Sequence, residues 1–316
     1  MHRSLLNRYV IDSDNRIDLE STLFSGQTFR WNKISDSGDR YFGIIGSALV
    51  IARQESPVAI EVMSTSECID GVDPEQGLRR YFTLDVDTGI LFSDHFRASY
   101  SRIWGMVRRY LGVRLLRQAP FETMVSFMCA QGIGMGLIRR QVEMIAARYG
   151  RPVGAETAWG TVGGHLFPTP SALASATVDD LSACTNNNRI RAANIIAMAR
   201  LVESGSVSLD GAESPVLATE ELRESLCRMR GVGMKIADCI ALFGFGRFDA
   251  FPVDTHVRQY LRDWFGVDAA RKSLTHADYL RLQAEAGAIL DPGHAGYAGH
   301  ILFHCWRKEV RGMTAY

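Results

Sequence analysis

A chain of 316 residues has room for two or three domains and a large core. Its apolar (47%) and charged (22%) fractions are those of an ordinary globular protein, and no apolar run approaches the roughly 18 residues that a membrane span needs. The formal net charge is zero, so overall charge announces no polyanionic partner.

The N-terminal segment MHRSLLNRYVIDSDNRIDLE lacks the apolar core of a signal peptide. A cytoplasmic, nucleoid-associated monomer with no membrane partner is expected. From the start to about residue 95 the chain reads as β-rich. TFRWNKI (28–34), YFGIIGSALVIAR (41–53) and VAIEVMST (58–65) carry β-branched and aromatic residues, separated by the turn formers SDSGD and QESP. They predict a small antiparallel sheet domain over 1–95. The period then changes to that of helices. Helical spacing covers 121–131, 137–150, 188–205, 221–229, 235–245, 255–266 and 295–308, so an all-α body is expected over 96–316. The fold class is α+β, a sheet domain followed by helices.

Between Phe96 and Phe121 there are six arginines (97, 102, 108, 109, 114 and 117) and no acidic residue. Either a phosphate-binding face or a solvated helix face fits this run. The six cysteines include no C-x-x-C pair, and Cys129, Cys227 and Cys239 fall in apolar helical patterns, as buried thiols do. His300, His304 and Cys305 cluster on one helix, but no metal site is expected there.

The strongest local signal is MRGVGMKIADCIALFGF (229–245). One helix ends at Gly231-Val232-Gly233 and another begins at once. Glycines allow a tight turn, and its exposed N–H groups, with the positive helix end, bind a phosphate without side-chain charge. Lys235 stands in the first turn of the second helix, where the helix dipole disfavours the ammonium and frees a nucleophilic amine. A phosphate-binding lysine is the competing reading. In FDAFPVDTHVRQ, Pro252 extends the chain into Val253, and Asp254 is placed as the N-cap of the next helix. The Lys235 helix advances roughly 15 Å over ten residues. The connection after it can span up to roughly 30 Å, enough to return Asp254 to the lysine. A carboxylate beside an amine suits attack at a sugar C1′. Cys239, one turn beyond Lys235, points either to that site or to the core.

GVGMKIADCI followed by FPVDTH resembles the helix-hairpin-helix-Gly/Pro-Asp glycosylases, specifically their eukaryotic-type 8-oxoguanine branch. LFSGQTFRW (23–31), YFTLDVD (81–87), FPTPSALA (167–174) and AGYAGHILF (295–303) follow in that family's order. The endonuclease III branch does not fit, because only Cys305 follows Cys239 and a four-cysteine cluster cannot form. The resemblance implies base flipping from double-stranded DNA, excision and strand nicking by β-elimination, without cofactor or metal. It implies Lys235 as the Schiff-base lysine and Asp254 as the transition-state carboxylate. Gly26, Cys239, Gly299 and Phe303 are implied in the base pocket, Phe303 stacking on the base. His256 is implied as a phosphate contact and Arg191 as a reader of the orphaned partner base.

Several positions depart from that pattern. Gly299 stands where the family has a base-reading glutamine. Gly132, Ile133 and Gly134 replace its asparagine run, and Ile190 and Leu137 replace a tyrosine wedge and a second arginine. Ile190 or Ile133 is then expected to act as an apolar wedge. Loss of side-chain volume predicts a larger pocket that takes a bulkier base, hypermodified phage cytosine being one candidate, with a role in defence. A compensating polar group within a residue or two of Gly299 is the alternative. A non-catalytic module that binds damaged or abasic DNA is a further alternative.

Overall fold

The computed structural model describes residues 6–35, 38–69, 71–209, 217–271 and 273–313. Strands β1 (Asn7–Asp12), β2 (Asn32–Lys33), β3 (Arg40–Ile45), β4 (Ala48–Ser56) and β5 (Ala59–Ser64) form an antiparallel sheet in the order β1-β5-β4-β3-β2. Tyr9 and Ala52 both pair with Val62, and Phe42 pairs with Ile51. A second pair, β6 (Pro152–Thr157) and β7 (Gly160–His165), forms a hairpin further along the chain.

Helices α1 (Leu19–Leu23) and α2 (Pro74–Tyr81) pack beside the sheet, and α3 (Asp94–Ser99) and α4 (Ser101–Val107) pack into the core of the helical body. The body contains α5 (Pro120–Cys129), α6 (Met135–Tyr149), α7 (Pro170–Ala174), α8 (Val178–Cys184), α9 (Arg189–Glu203) and α10 (Thr219–Cys227). It continues with α11 (Met234–Gly244), α12 (Thr255–Phe265), α13 (His276–Ile289) and α14 (Ala295–Glu309).

The apolar run of β4 does not alternate with polar residues, because both faces of the sheet are covered. Ala48, Val50 and Ala52 pack against α1, α2, Trp31 and Phe82. Leu49 and Ile51 pack against Ala155 and Val162 of the β6–β7 hairpin. An all-α body was expected, and this hairpin is the correction. Its sequence is glycine-rich and polar, without a β-branched run, so its strand character comes from lying on the sheet.

In the helical body α11 is buried from Ile236 to Gly244, and α5 and α14 pack around it. The segment 112–118 joins the sheet domain to this core. Gln27, fully buried, donates from Nε2 to the Arg114 and Thr22 carbonyls and accepts the Leu116 N–H at Oε1. These bonds hold Ser25 and Gly26 against the helical body. No helix among the described residues is long and apolar enough to cross a membrane.

Candidate active site

The turn between α10 and α11 is left-handed at Gly231, φ +85°. The conformation favours glycine, and a Cβ there would also crowd the Asn194 side chain, 2.6 Å from its Nδ2. Val232 is buried and anchors the turn in the core, while Gly233 is exposed, caps α11 and has open space around it. No side chain caps α11, so its first N–H groups are left for an external acceptor. Gln131 donates to the Gly231 carbonyl and ties the 130–134 loop to the hairpin.

Lys235 is the second residue of α11, half-buried, with Nζ 5.7 Å from the Phe127 ring centre. Asp254 is the N-cap of α12, and its Oδ1 accepts the Val257 N–H at 2.8 Å. Both line one cavity of about 80 Å³, together with Gly26, Cys239, Gly299 and Phe303. Burial pushes the Cys239 thiol up to about 11, and Lys235 beside it opposes that shift. The thiol is therefore a neutral part of the wall.

Behind this wall lies a polar network that local sequence did not reveal. Asp238, fully buried on α11, accepts from Tyr279 Oη at 2.6 Å, Gln283 Nε2 at 2.7 Å and Arg223 Nη1 at 3.3 Å. Tyr279 Oη accepts the Val253 N–H at 3.1 Å, and Gln283 Nε2 donates to the Phe251 carbonyl at 2.9 Å. The segment that presents Asp254 is thus fixed to the Lys235 helix through Asp238. Desolvation raises the Asp238 carboxyl to about 6, although its hydrogen bonds and Arg223 act the other way. An acid in the apolar run KIADCIALF was the available signal, since a charge there needs a buried partner.

The opposite wall corrects the expectation of an enlarged pocket. A Cβ built on Gly299 would lie within 2.9 Å of Phe251 Cδ2, inside the ring's van der Waals surface. Gly299 leaves no void, because Phe251 fills the space. Gly296 makes a similar close approach to the backbone of Ala250, and its N–H donates to the Phe248 carbonyl at 2.7 Å. Two small residues on α14 therefore let the 248–251 segment cross it and seat the Phe251 ring. His300 also lines the cavity, with its ring stacked near Phe303 and its Nε2 2.8 Å from Ser25 Oγ. Neither Phe251 nor His300 had been assigned to the pocket, although both stand inside the quoted motifs.

The remaining positions lie around this site. His256 is half-buried, 5.8 Å from Phe303, and its Nδ1 is buried without a hydrogen-bond partner. Ile190 is 76% exposed at the start of α9, and Leu137 is 41% exposed on α6. Ile133 instead packs against the core, between exposed Gly132 and Gly134. Arg191 turns inward, with Nη2 donating to the Gln131 carbonyl at 2.7 Å and Nη1 to Gln141 Oε1 at 3.2 Å. It braces the 130–134 loop, and would have to swing out to reach a partner base.

The arginine run is also not one face. Arg114 is fully buried on the Thr83 and Val86 carbonyls. Arg97, Arg109 and Arg117 pair with Asp94, Glu309 and Asp85. Burial of Arg114, the local pair Arg97–Asp94 and the long-range pairs of Arg109 and Arg117 together remove most of the expected basic surface.

Residues 9–124 match the N-terminal domain of 8-oxoguanine DNA glycosylase, and residues 125–283 match the HhH-GPD superfamily base excision DNA repair proteins. The N-glycosylase/DNA lyase OGG1 of Arabidopsis thaliana is 28% identical over 291 residues, 91% of this chain and 76% of that protein. The N-glycosylase/DNA lyase of Saccharomyces cerevisiae is 28% identical over 334 residues, covering 94% of this chain and 84% of that protein. The solved structure of MBOgg1 in complex with a low-affinity DNA ligand superposes with a TM-score of 0.77 at 25% identity, covering 96% and 99% of the two chains. The chain belongs to the HhH-GPD superfamily of base excision DNA repair proteins, with an N-terminal domain of the 8-oxoguanine DNA glycosylase kind.

Proposed function

We propose that this protein is a DNA glycosylase with an associated abasic-site lyase activity, acting on a modified, 8-oxoguanine-like base in double-stranded DNA. The observation that carries the reading is the meeting of Lys235 and Asp254 on one cavity beside an uncapped helix-hairpin-helix turn. The names of the relatives support the activity, and the matched N-terminal domain family supports the substrate class.

The N–H groups around Gly231 and Gly233 grip a backbone phosphate, and the flipped base enters the cavity between Phe303 and Cys239. Lys235 Nζ attacks C1′ of the nucleotide. The C1′–N bond breaks, and the base departs with its electron pair and a proton. Asp254 stabilises the positive charge that develops at C1′ and O4′. The amine supplies the proton that leaves with the base and passes its other proton to O4′ as the sugar ring opens to a Schiff base at C1′. Loss of a C2′ proton then expels the 3′ phosphate by β-elimination, and water releases Lys235. Every side chain in this sequence comes from one copy of the chain.

Borohydride trapping on duplexes tests the proposal. The panel carries 8-oxoguanine opposite each base, an abasic site, and modified cytosines. Wild-type protein is expected to be trapped on 8-oxoguanine and abasic duplexes, and Lys235→Gln on neither. Binding without trapping or turnover, unchanged by Lys235→Gln, would instead make this a damage-binding module.

A further inference from the structure

With Lys235 and Asp254 directed at the sugar, few polar side chains remain in the cavity wall. The Cys239 thiol stays protonated and lies beside Lys235. The Tyr260 hydroxyl is buried and 3.4 Å from the Gly299 carbonyl, to which it donates. His300 is the other polar side chain, and it is 7% exposed.

Its neighbours set the chemistry of its ring. Ser25 Oγ lies 3.2 Å from the Thr22 carbonyl, to which it donates. The hydroxyl proton is thereby engaged, so at the 2.8 Å contact His300 Nε2 carries the proton and donates to Ser25. Nδ1 then remains an acceptor, without a partner among the described residues. Burial holds the imidazole down to about 3, so it is neutral at working pH. Packing fixes its plane, edge-on to Phe243 at 5.3 Å and stacked near Phe303 at 6.0 Å.

We propose that His300, braced by Ser25, is the polar reader of the flipped base, its Nδ1 accepting a hydrogen bond from an N–H on the edge of that base. The inference rests on the base-flipping reading above. Phe251, seated on Gly299, makes the adjoining wall apolar, so a base that offers no N–H to His300 leaves a buried acceptor unpaired. Discrimination then comes from a neutral imidazole and an aromatic ring on facing segments.

The test compares wild type with His300→Leu, which keeps volume but removes both nitrogens, and with His300→Gln, which returns a donor and an acceptor. Ser25→Ala removes only the brace, and covers the case in which His300→Leu fails to fold. Single-turnover base release is measured on the duplex panel, beside nicking of a preformed abasic site. For His300→Leu, release is expected to fall roughly ten- to a hundredfold while abasic nicking changes less than about threefold. His300→Gln should recover part of the loss, and Ser25→Ala should show the same split at smaller amplitude. Equal loss of release and nicking would mean a purely structural histidine, and unchanged release would mean no reading role; either overturns the inference alone. Wild-type protein that releases no base from the panel overturns the glycosylase reading and the inference with it.

Discussion

The two walls of the cavity are held by different forces. The wall with Lys235 and Asp254 is fixed from behind by hydrogen bonds converging on Asp238 and Tyr279. The wall with Gly299 is fixed by shape, an aromatic ring lying on a helix that has no side chain to obstruct it. A hydrogen-bonded frame tolerates little displacement, which suits groups that must meet a sugar carbon within tenths of an ångström. An apolar wall is changed by exchanging volumes between neighbours, which suits a surface that sets base preference. The comparison predicts that substitutions on the first wall damage the chemistry, and those on the second damage packing and selectivity.

The largest effect is expected at Asp254. Asp254→Asn keeps a side-chain oxygen for the Val257 N–H, so the α12 cap survives with little loss of stability. The charge is lost, and base release should fall roughly 10²- to 10³-fold. Asp254→Ala should lose the same activity and a further ~1 kcal/mol of stability with the cap. Urea unfolding beside single-turnover kinetics separates the two; equal activity in Asp254→Asn and wild type would break the assignment of this wall to the chemistry.

On the other wall, Gly299→Ala forces a methyl group against Phe251. Overpacking should cost about 1–3 kcal/mol, and Phe251→Leu in the same chain should relieve part of it. Strictly additive single and double variants in urea melts would show that the two residues do not share one space.

Acid stability sharpens the contrast between the walls. Burial lowers His300 to about 3 and His304 to about 4, against 6.5 when free, and raises Asp238 from 3.8 to about 6. Between about pH 4 and 6 the unfolded chain holds two histidine protons that the folded chain lacks. The folded chain holds one proton on Asp238 that the unfolded chain has released. The net of one extra proton on the unfolded chain makes these groups' stability rise with pH across that window, by about 1.4 kcal/mol per pH unit, and fall as pH drops. Asp238→Asn removes the opposing group, so its slope should be steeper by about one proton. An unchanged or shallower slope would place the Asp238 charge in the folded state across this window.

The first wall was legible in sequence because its signals are local. A left-handed glycine, a lysine in the first helical turn and a Pro-Val-Asp cap each act within a few residues of themselves. The rest depended on contacts between distant segments. Gly299 signals missing volume, and nothing near it says that Phe251 fills the gap. Tyr279 and Gln283 stand on α13, whose alanine-rich sequence buries only Tyr279, Leu282 and Ala286 and shows no clear apolar stripe. The β6–β7 hairpin was missed for the same reason, as it gains its character from the sheet it covers. The arginine run misled in the opposite direction, because Asp85 and Glu309, which pair with Arg117 and Arg109, lie far from them in the chain, and Arg114 is buried.

Ile190 gives the smallest expected change in stability, and extends the comparison to the protein's outer face. At 76% exposure its side chain contributes little to the core, so Ile190→Ala should change stability by no more than about 0.5 kcal/mol. Ile190 precedes Arg191, which bonds to the Gln131 carbonyl, and a vacated base stack is an apolar slot suited to an exposed aliphatic residue there. Unstacking a base costs a few kcal/mol, of which one aliphatic wedge offsets part. Base release from fully paired duplex should therefore slow by roughly three- to tenfold in Ile190→Ala, and the loss should shrink when the damaged base faces a gap instead of a partner. Ile133→Ala should behave the other way, losing stability through the core it packs against while leaving the ratio of paired to gapped substrate unchanged. If the two variants trade these behaviours, the wedge belongs to the 130–134 loop and not to α9.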